Sequence, residues 1–233
     1  MPTLLNALNS QVGRKLLTGI TGISLTVFVV VHLLGNFTLF GEPEAFNAYA
    51  YFLESLGGLL IAAEIGLIAV FVIHAYIGTS IWWNRRKARP QKYHVYSSKG
   101  GPSRQSLSSR SMIFTGVVLL IFVITHVRMF KFGDADVVTL STGAEARDLK
   151  TLVIDTFIQP AWAFGYTFVM ILLGVHLGHG IWSAFTSLTM RSKAMSAMVY
   201  TAGTIVAFLL AAGFLSIPLY IYFTGGEGSL IQY

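Results

Sequence analysis

Cysteine is absent from the 233 residues, which excludes disulfide frameworks, thiolate zinc sites, iron–sulfur ligation by this chain and cysteine nucleophiles. Charge is scarce as well. Asp, Glu, Lys and Arg together make up 11% of the chain, about half the share in an ordinary soluble domain. Hydrophobic residues supply 54%, so the chain is not of the disordered class, and its polar residues are too few to clothe a water-soluble body of this length. The apolar excess is expected to face lipid. Acids are outnumbered, 10 against 16 basic residues, and the net charge of +6 raises the question of where the basic residues sit.

A bilayer core of about 30 Å needs about 20 apolar helical residues. Five runs meet that requirement: Leu16–Phe40, Leu56–Trp83, Met112–Phe130, Ala161–Leu188 and Ala197–Phe223. The first follows Arg14 and Lys15 like a signal peptide, but it is too long and lacks a small-residue cleavage site, so it reads as a permanent span. The pattern predicts an all-α membrane protein forming one domain over 1–233, with no internal repeat.

The spans sort the charges between two sides. Arg14 and Lys15 precede the first span. Arg85, Arg86, Lys87, Arg89, Lys92, Lys99, Arg104 and Arg110 lie between the second and third, and Arg191 and Lys193 between the fourth and fifth. These segments hold no acid. The opposite side carries Arg128, Lys131, Arg147 and Lys150 among Glu42, Glu44, Asp134, Asp136, Glu145, Asp148, Asp155 and Glu227. The positive-inside rule places the N-terminus in the cytoplasm and the C-terminus outside, as expected of a multi-pass protein of the plasma membrane. Topology thus accounts for the basic surplus, and no nucleic-acid partner is needed.

Segment 84–111, with its basic run, Gly100-Gly101-Pro102 and many serines, reads as a cytoplasmic loop and docking surface. On the other side, Thr142 and Glu145 have capping-box spacing, and Leu149, Leu152, Val153 and Phe157 recur near helical spacing, which predicts a short interfacial helix. Pro160 suits the first turn of the fourth span.

Histidines carry the chemical information, because an ionisable group inside a bilayer is costly and a span can be built without one. His32, His74 and His126 lie on the first three spans and His176 and His179 on the fourth; His94 lies in the basic loop, where it reads as solvated. A single membrane histidine usually hydrogen-bonds a neighbouring helix, but four consecutive spans each carrying one call for more. A helix rises 1.5 Å per residue, which puts His32 ~26 Å past Lys15 and His126 ~24 Å past Arg110. His74 is ~16 Å from Arg85, and His176 and His179 are ~22 and ~18 Å from Arg191, nearer the cytoplasm. Neutral imidazole is a good iron ligand, and a flat macrocycle between helices receives one from each face, so the pattern predicts two haems, one above the other. Zinc is the competing metal, but its sites usually take four ligands, often with carboxylates, at one depth. Gly19, Gly22, Gly78, Gly116, Gly174, Gly178 and Gly180 offer the narrow faces that a porphyrin needs or, equally, ordinary close helix packing.

The sequence at this point resembles a known family, the single-chain, five-helix, di-haem cytochrome b subunits of succinate:quinone oxidoreductases and fumarate reductases. The resemblance runs over nearly the whole chain. Its most specific stretches are Arg14-Lys15-Leu16-Leu17-Thr18-Gly19-Ile20-Thr21-Gly22, His32-Leu33-Leu34-Gly35-Asn36, Glu44-Ala45-Phe46-Asn47-Ala48-Tyr49 and His176-Leu177-Gly178-His179-Gly180-Ile181-Trp182-Ser183-Ala184-Phe185. It implies that the first four helices surround two b-type haems, with His32 and His126 as axial ligands of the outer one and His74 and His176 of the inner one. Depth slightly favours His179 over His176, whereas the family pattern of a ligand four residues before Gly and six before an aromatic fits His176, Gly180 and Trp182. His179 then becomes a neighbouring donor to a propionate or quinone. Arg14, Lys15, Thr18, Trp82 and Arg86 are the nearest donors for the inner propionates, and topology alone equally explains Lys15 and Arg86. Glu54 and Glu64, placed on the second helix, read as snorkelling acids at a helix end, with proton handling or contact with a quinone as the other reading. Where family members that reduce fumarate place a Glu two residues before the fourth-helix ligand, this chain has Gly174, which argues against that proton route.

The function that the resemblance implies is conduction. A flavoprotein subunit carrying FAD oxidises succinate, an iron–sulfur subunit delivers the electrons to the cytoplasmic face, and this chain passes them through the haems to a membrane quinone, expected to be menaquinone. The chain is not itself the enzyme that oxidises succinate, since it carries neither a nucleotide fingerprint nor cysteines. Three alternatives stand beside it: a fumarate reductase subunit, the cytochrome b of another quinone-linked dehydrogenase or hydrogenase, and a colourless transporter or channel.

Overall fold

The computed structural model describes residues 6, 9–88, 107–188 and 193–225. Arg89, Lys92, His94, Lys99, Arg104, Arg191 and Glu227, and the Gly100-Gly101-Pro102 break, lie outside them. The described residues are overwhelmingly helical. Helix α1 is Gln11–Asn36, extended by a tight turn over Phe37–Phe40; α2 is Ala45–Ser55, α3 Gly58–Lys87, α4 Leu107–His126, α5 Leu149–Phe157, α6 Pro160–Leu188 and α7 Lys193–Thr224. Strands β1 (Val137–Thr139) and β2 (Glu145–Arg147) form one antiparallel hairpin.

Five stretches are long and apolar enough to cross a bilayer: Gln11–Phe40, Gly58–Lys87, Arg110–Lys131, Pro160–Leu188 and Ala197–Thr224. They match the expected spans closely, because runs of this length leave helix as the sole conformation that satisfies the backbone in lipid. Pro160 opens α6, as expected. On α3, Ile61, Ile65, Ile68 and Val72 are all exposed along one face. A stripe of that kind belongs against acyl chains, so this is a multi-pass membrane protein.

Contacts gather the chain into two compact units, and each long helix contributes a segment to both. Unit one comprises Met1–Val27, Gly66–Val117 and Leu173–Phe208; unit two comprises Phe28–Ile65, Val118–Leu172 and Leu209–Tyr233. In unit one, Gly19 brings α1 against the Ala184 backbone of α6, and Gly203 of α7 lies under Ile181, where a Cβ would sit 2.8 Å from the isoleucine methyl. In unit two, Gly213 of α7 receives Leu33 of α1 with the same lack of room. Small residues of this kind let apolar helices approach within van der Waals reach, which replaces the hydrophobic drive that lipid removes.

The interfacial region of unit two departs from expectation in its details. Thr142 and Glu145 do not cap a helix: Thr142 occupies the hairpin turn and Glu145 opens β2, paired with Thr139. Gly143, at φ +81°, closes that turn. The expected short helix is present as α5, and its cap is Asp148, whose carboxylate accepts from the Thr151 N–H at 3.1 Å. Glu54 lies on α2 rather than on the second span, since Gly57, at φ +53°, breaks the chain before α3. Glu64 pairs with Lys131.

One buried amide organises this region. Asn47 of α2 donates to Asp148 at 2.9 Å and accepts from the Lys150 N–H at 2.9 Å, while the buried Lys150 ammonium donates to the Pro43 carbonyl at 3.1 Å. Burial raises the Asp148 pKa, but hydrogen bonds from Thr151 and Asn47 and the Lys150 charge outweigh it and hold the carboxyl below its ordinary range. Glu44 is likewise lowered, chiefly by the Ser141 backbone N–H it accepts from. A depressed carboxylate pKa contributes stability above the unfolded-state value that is lost as pH falls through the folded-state value. Asn47→Ala is therefore expected to cost about 1–3 kcal/mol by orphaning buried partners, read as a lower thermal midpoint of the detergent-solubilised chain at neutral pH. Acidification through the carboxylate range lowers the wild-type midpoint in the same direction.

Candidate functional site

Within unit one, two threonines determine what two imidazoles can do. The Thr21 hydroxyl on α1 donates to the carbonyl of Leu17 at 2.7 Å, with that of Thr18 at 3.2 Å, and its oxygen lies 3.2 Å from Nδ1 of His74 on α3. A hydroxyl has one proton, and here the backbone takes it, so the oxygen faces His74 as an acceptor. It follows that Nδ1 carries the ring hydrogen and Nε2 keeps its lone pair. Helix α4 repeats the arrangement: Thr115 donates to Ser111 and Met112 carbonyls at 3.1 and 3.2 Å and lies 3.0 Å from Nδ1 of His176 on α6. Both threonines are buried.

The glycine after each threonine meets the same ring. A Cβ on Gly22 would lie 3.3 Å from His74 Cε1, and one on Gly116 would lie 3.6 Å from His176 Cε1. The two rings meet edge-on, with centroids 6.4 Å apart and planes at 66°. Two imidazoles on opposite sides of one metal ion, each bound through nitrogen at about 2.0–2.1 Å, have ring centres about 6.3 Å apart. The spacing and the free Nε2 atoms fit such a pair of ligands. A Cβ on Gly78 or Gly180, four residues after His74 and His176, would meet nothing within 4 Å, as it would on Gly66 and Gly165. Gly19 instead serves helix packing, and a Cβ on Gly178 would touch Ala207 at 3.9 Å.

His32 of α1 and His126 of α4 form a second couple in unit two, with centroids 5.7 Å apart and planes at 86°. This is about 0.6 Å tighter than the spacing derived above for two ligands of one metal ion. Its surroundings are aromatic. Phe28 stacks on His32 at 5.4 Å and Phe214 lies at 5.9 Å, while Phe122, Phe130 and Tyr166 stand 5.5, 5.2 and 6.1 Å from His126. Asn36 donates to the His32 carbonyl at 2.8 Å and reaches its Nε2 at 3.4 Å. Buried Nδ1 of His126 has no hydrogen-bond partner among the described residues. A buried nitrogen of this kind calls for a partner such as a water, an ion or a bound group. His126 is also the last residue of α4 before a wide turn, Val127–Lys131, of the sort found at functional sites.

No three His, Asp or Glu side chains converge among the described residues, so the imidazoles meet in twos and supply no closed zinc set. His179 is half-buried and shares neither the Thr115 bond nor the ring pair of His176 with His74. Of the other anticipated residues, Arg14 donates to Ser80 at 3.1 Å and ties α1 to α3, and Thr18 spends its hydroxyl on the Arg14 carbonyl at 2.8 Å. Arg86 lies over the Trp82 ring at 5.1 Å, and Lys15 is exposed. Sequence reasoning passed over Thr21 and Thr115 as site residues; the signal was the Thr-Gly dipeptide recurring in the first and third spans, six residues after Lys15 and five after Arg110.

No protein-family model, curated protein or solved structure matches the chain.

Gly22→Leu and Gly116→Leu are expected to push the adjacent imidazole off its threonine, read as loss of the protected imidazole N–H resonance of His74 or His176 in the detergent-solubilised chain. Gly203→Ala, which crowds Ile181, lowers the thermal midpoint and leaves those resonances in place.

Proposed function

We propose that the chain is the di-haem cytochrome b membrane anchor of a succinate:quinone oxidoreductase, carrying electrons from an iron–sulfur subunit to menaquinone. The observation that carries the reading is the pair of imidazole couples, each built from two different helices, one of them with both Nε2 atoms left uncommitted by threonine. In this reading His74 and His176 hold the inner haem b and His32 and His126 the outer one, within a bundle made by α1, α3, α4 and α6. Bound haem iron supplies a one-electron carrier whose potential the axial ligands and their hydrogen bonds tune.

The chain's own residues do the rest. Neutral imidazoles with fixed tautomers offer lone pairs without a protonation step. Apolar and aromatic side chains around His32 and His126 exclude water. Arg14, Trp82 and Arg86 are the donors that serve negatively charged propionates, whereas the Thr18 hydroxyl proton is held by the Arg14 carbonyl. The N-terminus faces the cytoplasm, and the basic segments there form the platform for the iron–sulfur and FAD-bearing subunits. Succinate oxidation belongs to those partners.

A pyridine haemochrome assay on the purified chain is expected to give two protohaems per polypeptide, and a colourless protein overturns the proposal. His74→Ala and His176→Ala each remove one haem and most quinone reduction in the assembled complex, whereas His179→Ala keeps both haems. Haem loss with His179→Ala and retention with His176→Ala reverses the ligand assignment. Succinate:menaquinone reductase activity copurifying with the chain separates this family from other quinone-linked cytochromes.

A further inference from the structure

We infer that the Thr-Gly pairs Thr21-Gly22 and Thr115-Gly116 are a positioning device, in which each threonine locks one imidazole in the Nδ1–H tautomer and each glycine leaves that ring its place. The inference rests on the reading of His74 and His176 as the two ligands of one haem, and it assigns a role to residues which that reading leaves idle. Its basis is a repetition. On two different helices the same dipeptide meets a histidine from a third and a fourth, with the hydroxyl on Nδ1 at 3.2 and 3.0 Å and the glycine against Cε1 at 3.3 and 3.6 Å.

A threonine inside an apolar helix satisfies its hydroxyl by bonding its own backbone four residues back, and Thr18, Thr26, Thr167 and Thr204 do only that. Thr21 and Thr115 do that and also accept from an imidazole. The backbone bond is what gives the device its sense: with the hydroxyl proton held by a carbonyl, the oxygen is left as an acceptor. The ring rotamer that turned Nδ1 toward a metal would forfeit this bond and bury an N–H among apolar side chains. An Nδ1–H that donates also makes Nε2 a stronger base, which favours the oxidised metal and lowers its potential. Both threonines act on the same couple, so both variants report on the same haem.

The test uses the purified holoprotein with Thr21→Val, Thr115→Val, their serine counterparts, and Thr26→Val as a control whose hydroxyl bonds only the Gly22 carbonyl. Haem content, the midpoint potential of each haem by spectroelectrochemical titration, and the low-spin ferric g values by electron paramagnetic resonance are measured. Either valine variant is expected to raise the potential and shift the g values of one haem, the same in both, or to lose that haem; the serine variants and Thr26→Val retain the wild-type values. Unchanged potentials and g values in both valine variants overturn the inference while leaving the ligand assignment in place. Equal effects of Thr26→Val, or serine variants that behave like valine, also overturn it by assigning the change to helix packing. A wild-type protein without haem overturns the ligand reading itself.

Discussion

An imidazole placed in a bilayer must find an acceptor for its N–H and a use for its lone pair, because lipid offers neither. Every unusual feature around the four paired histidines follows from that demand. His74 and His176 answer the first half within the protein, through Thr21 and Thr115, and the second half remains open at Nε2. That asymmetry is informative. Two neutral imidazoles whose free nitrogens are both acceptors cannot satisfy each other by hydrogen bonding, since neither has a proton left to give. In the function proposed above, a metal ion between them would take both lone pairs, and the ring spacing is compatible with one.

The glycines of the helices divide by the company they keep. Gly19, Gly203 and Gly213 stand against backbone or branched side chains of a neighbouring helix, where even a methyl group is crowded. Gly22 and Gly116 stand against imidazole carbons, and Gly78 and Gly180 against nothing. Helix packing explains the first group completely. Gly58, Gly66 and Gly165 likewise meet nothing within 4 Å, so open space beside a helical glycine also occurs away from the histidines.

The spans were legible in the sequence because lipid leaves the backbone a single solution and because the apolar runs are long. That His32 and His126 share one level was legible for a similar reason, depth being a linear function of residue number along a helix, whereas depth leaned toward His179 as the partner of His74 and only the family pattern singled out His176. What escaped has a common cause. Helix α2 is short and mixed in composition, and its Asn47 finds its partners 101 and 103 residues away. Thr142 and Glu145 have the spacing of a capping box, but the turn ending at Gly143 pairs the chain into a hairpin before a helix can start there. Thr21 and Thr115 reach histidines 53 and 61 residues away, and their backbone bonds alone would not set them apart from any other helical threonine.

The two couples are held by different means, and the difference extends to the surface of the protein. Hydrogen bonds from neighbouring helices orient His74 and His176 directly. His32 and His126 are placed through their backbones. Gly35, three residues after His32, has so little room that Tyr49 of α2 fills the space where a Cβ would be, and α2 is itself fastened by Asn47 to Asp148 and Lys150. On the other side of the couple, the wide turn after His126 ends where Arg147 grips the carbonyls of Lys131 and Gly133 at 3.0 and 2.6 Å, and a Cβ on Gly133 would collide with the Met129 carbonyl. Arg147 and Asp148 are adjacent in sequence, so a single short segment of the interfacial hairpin fixes both chain segments that carry this couple.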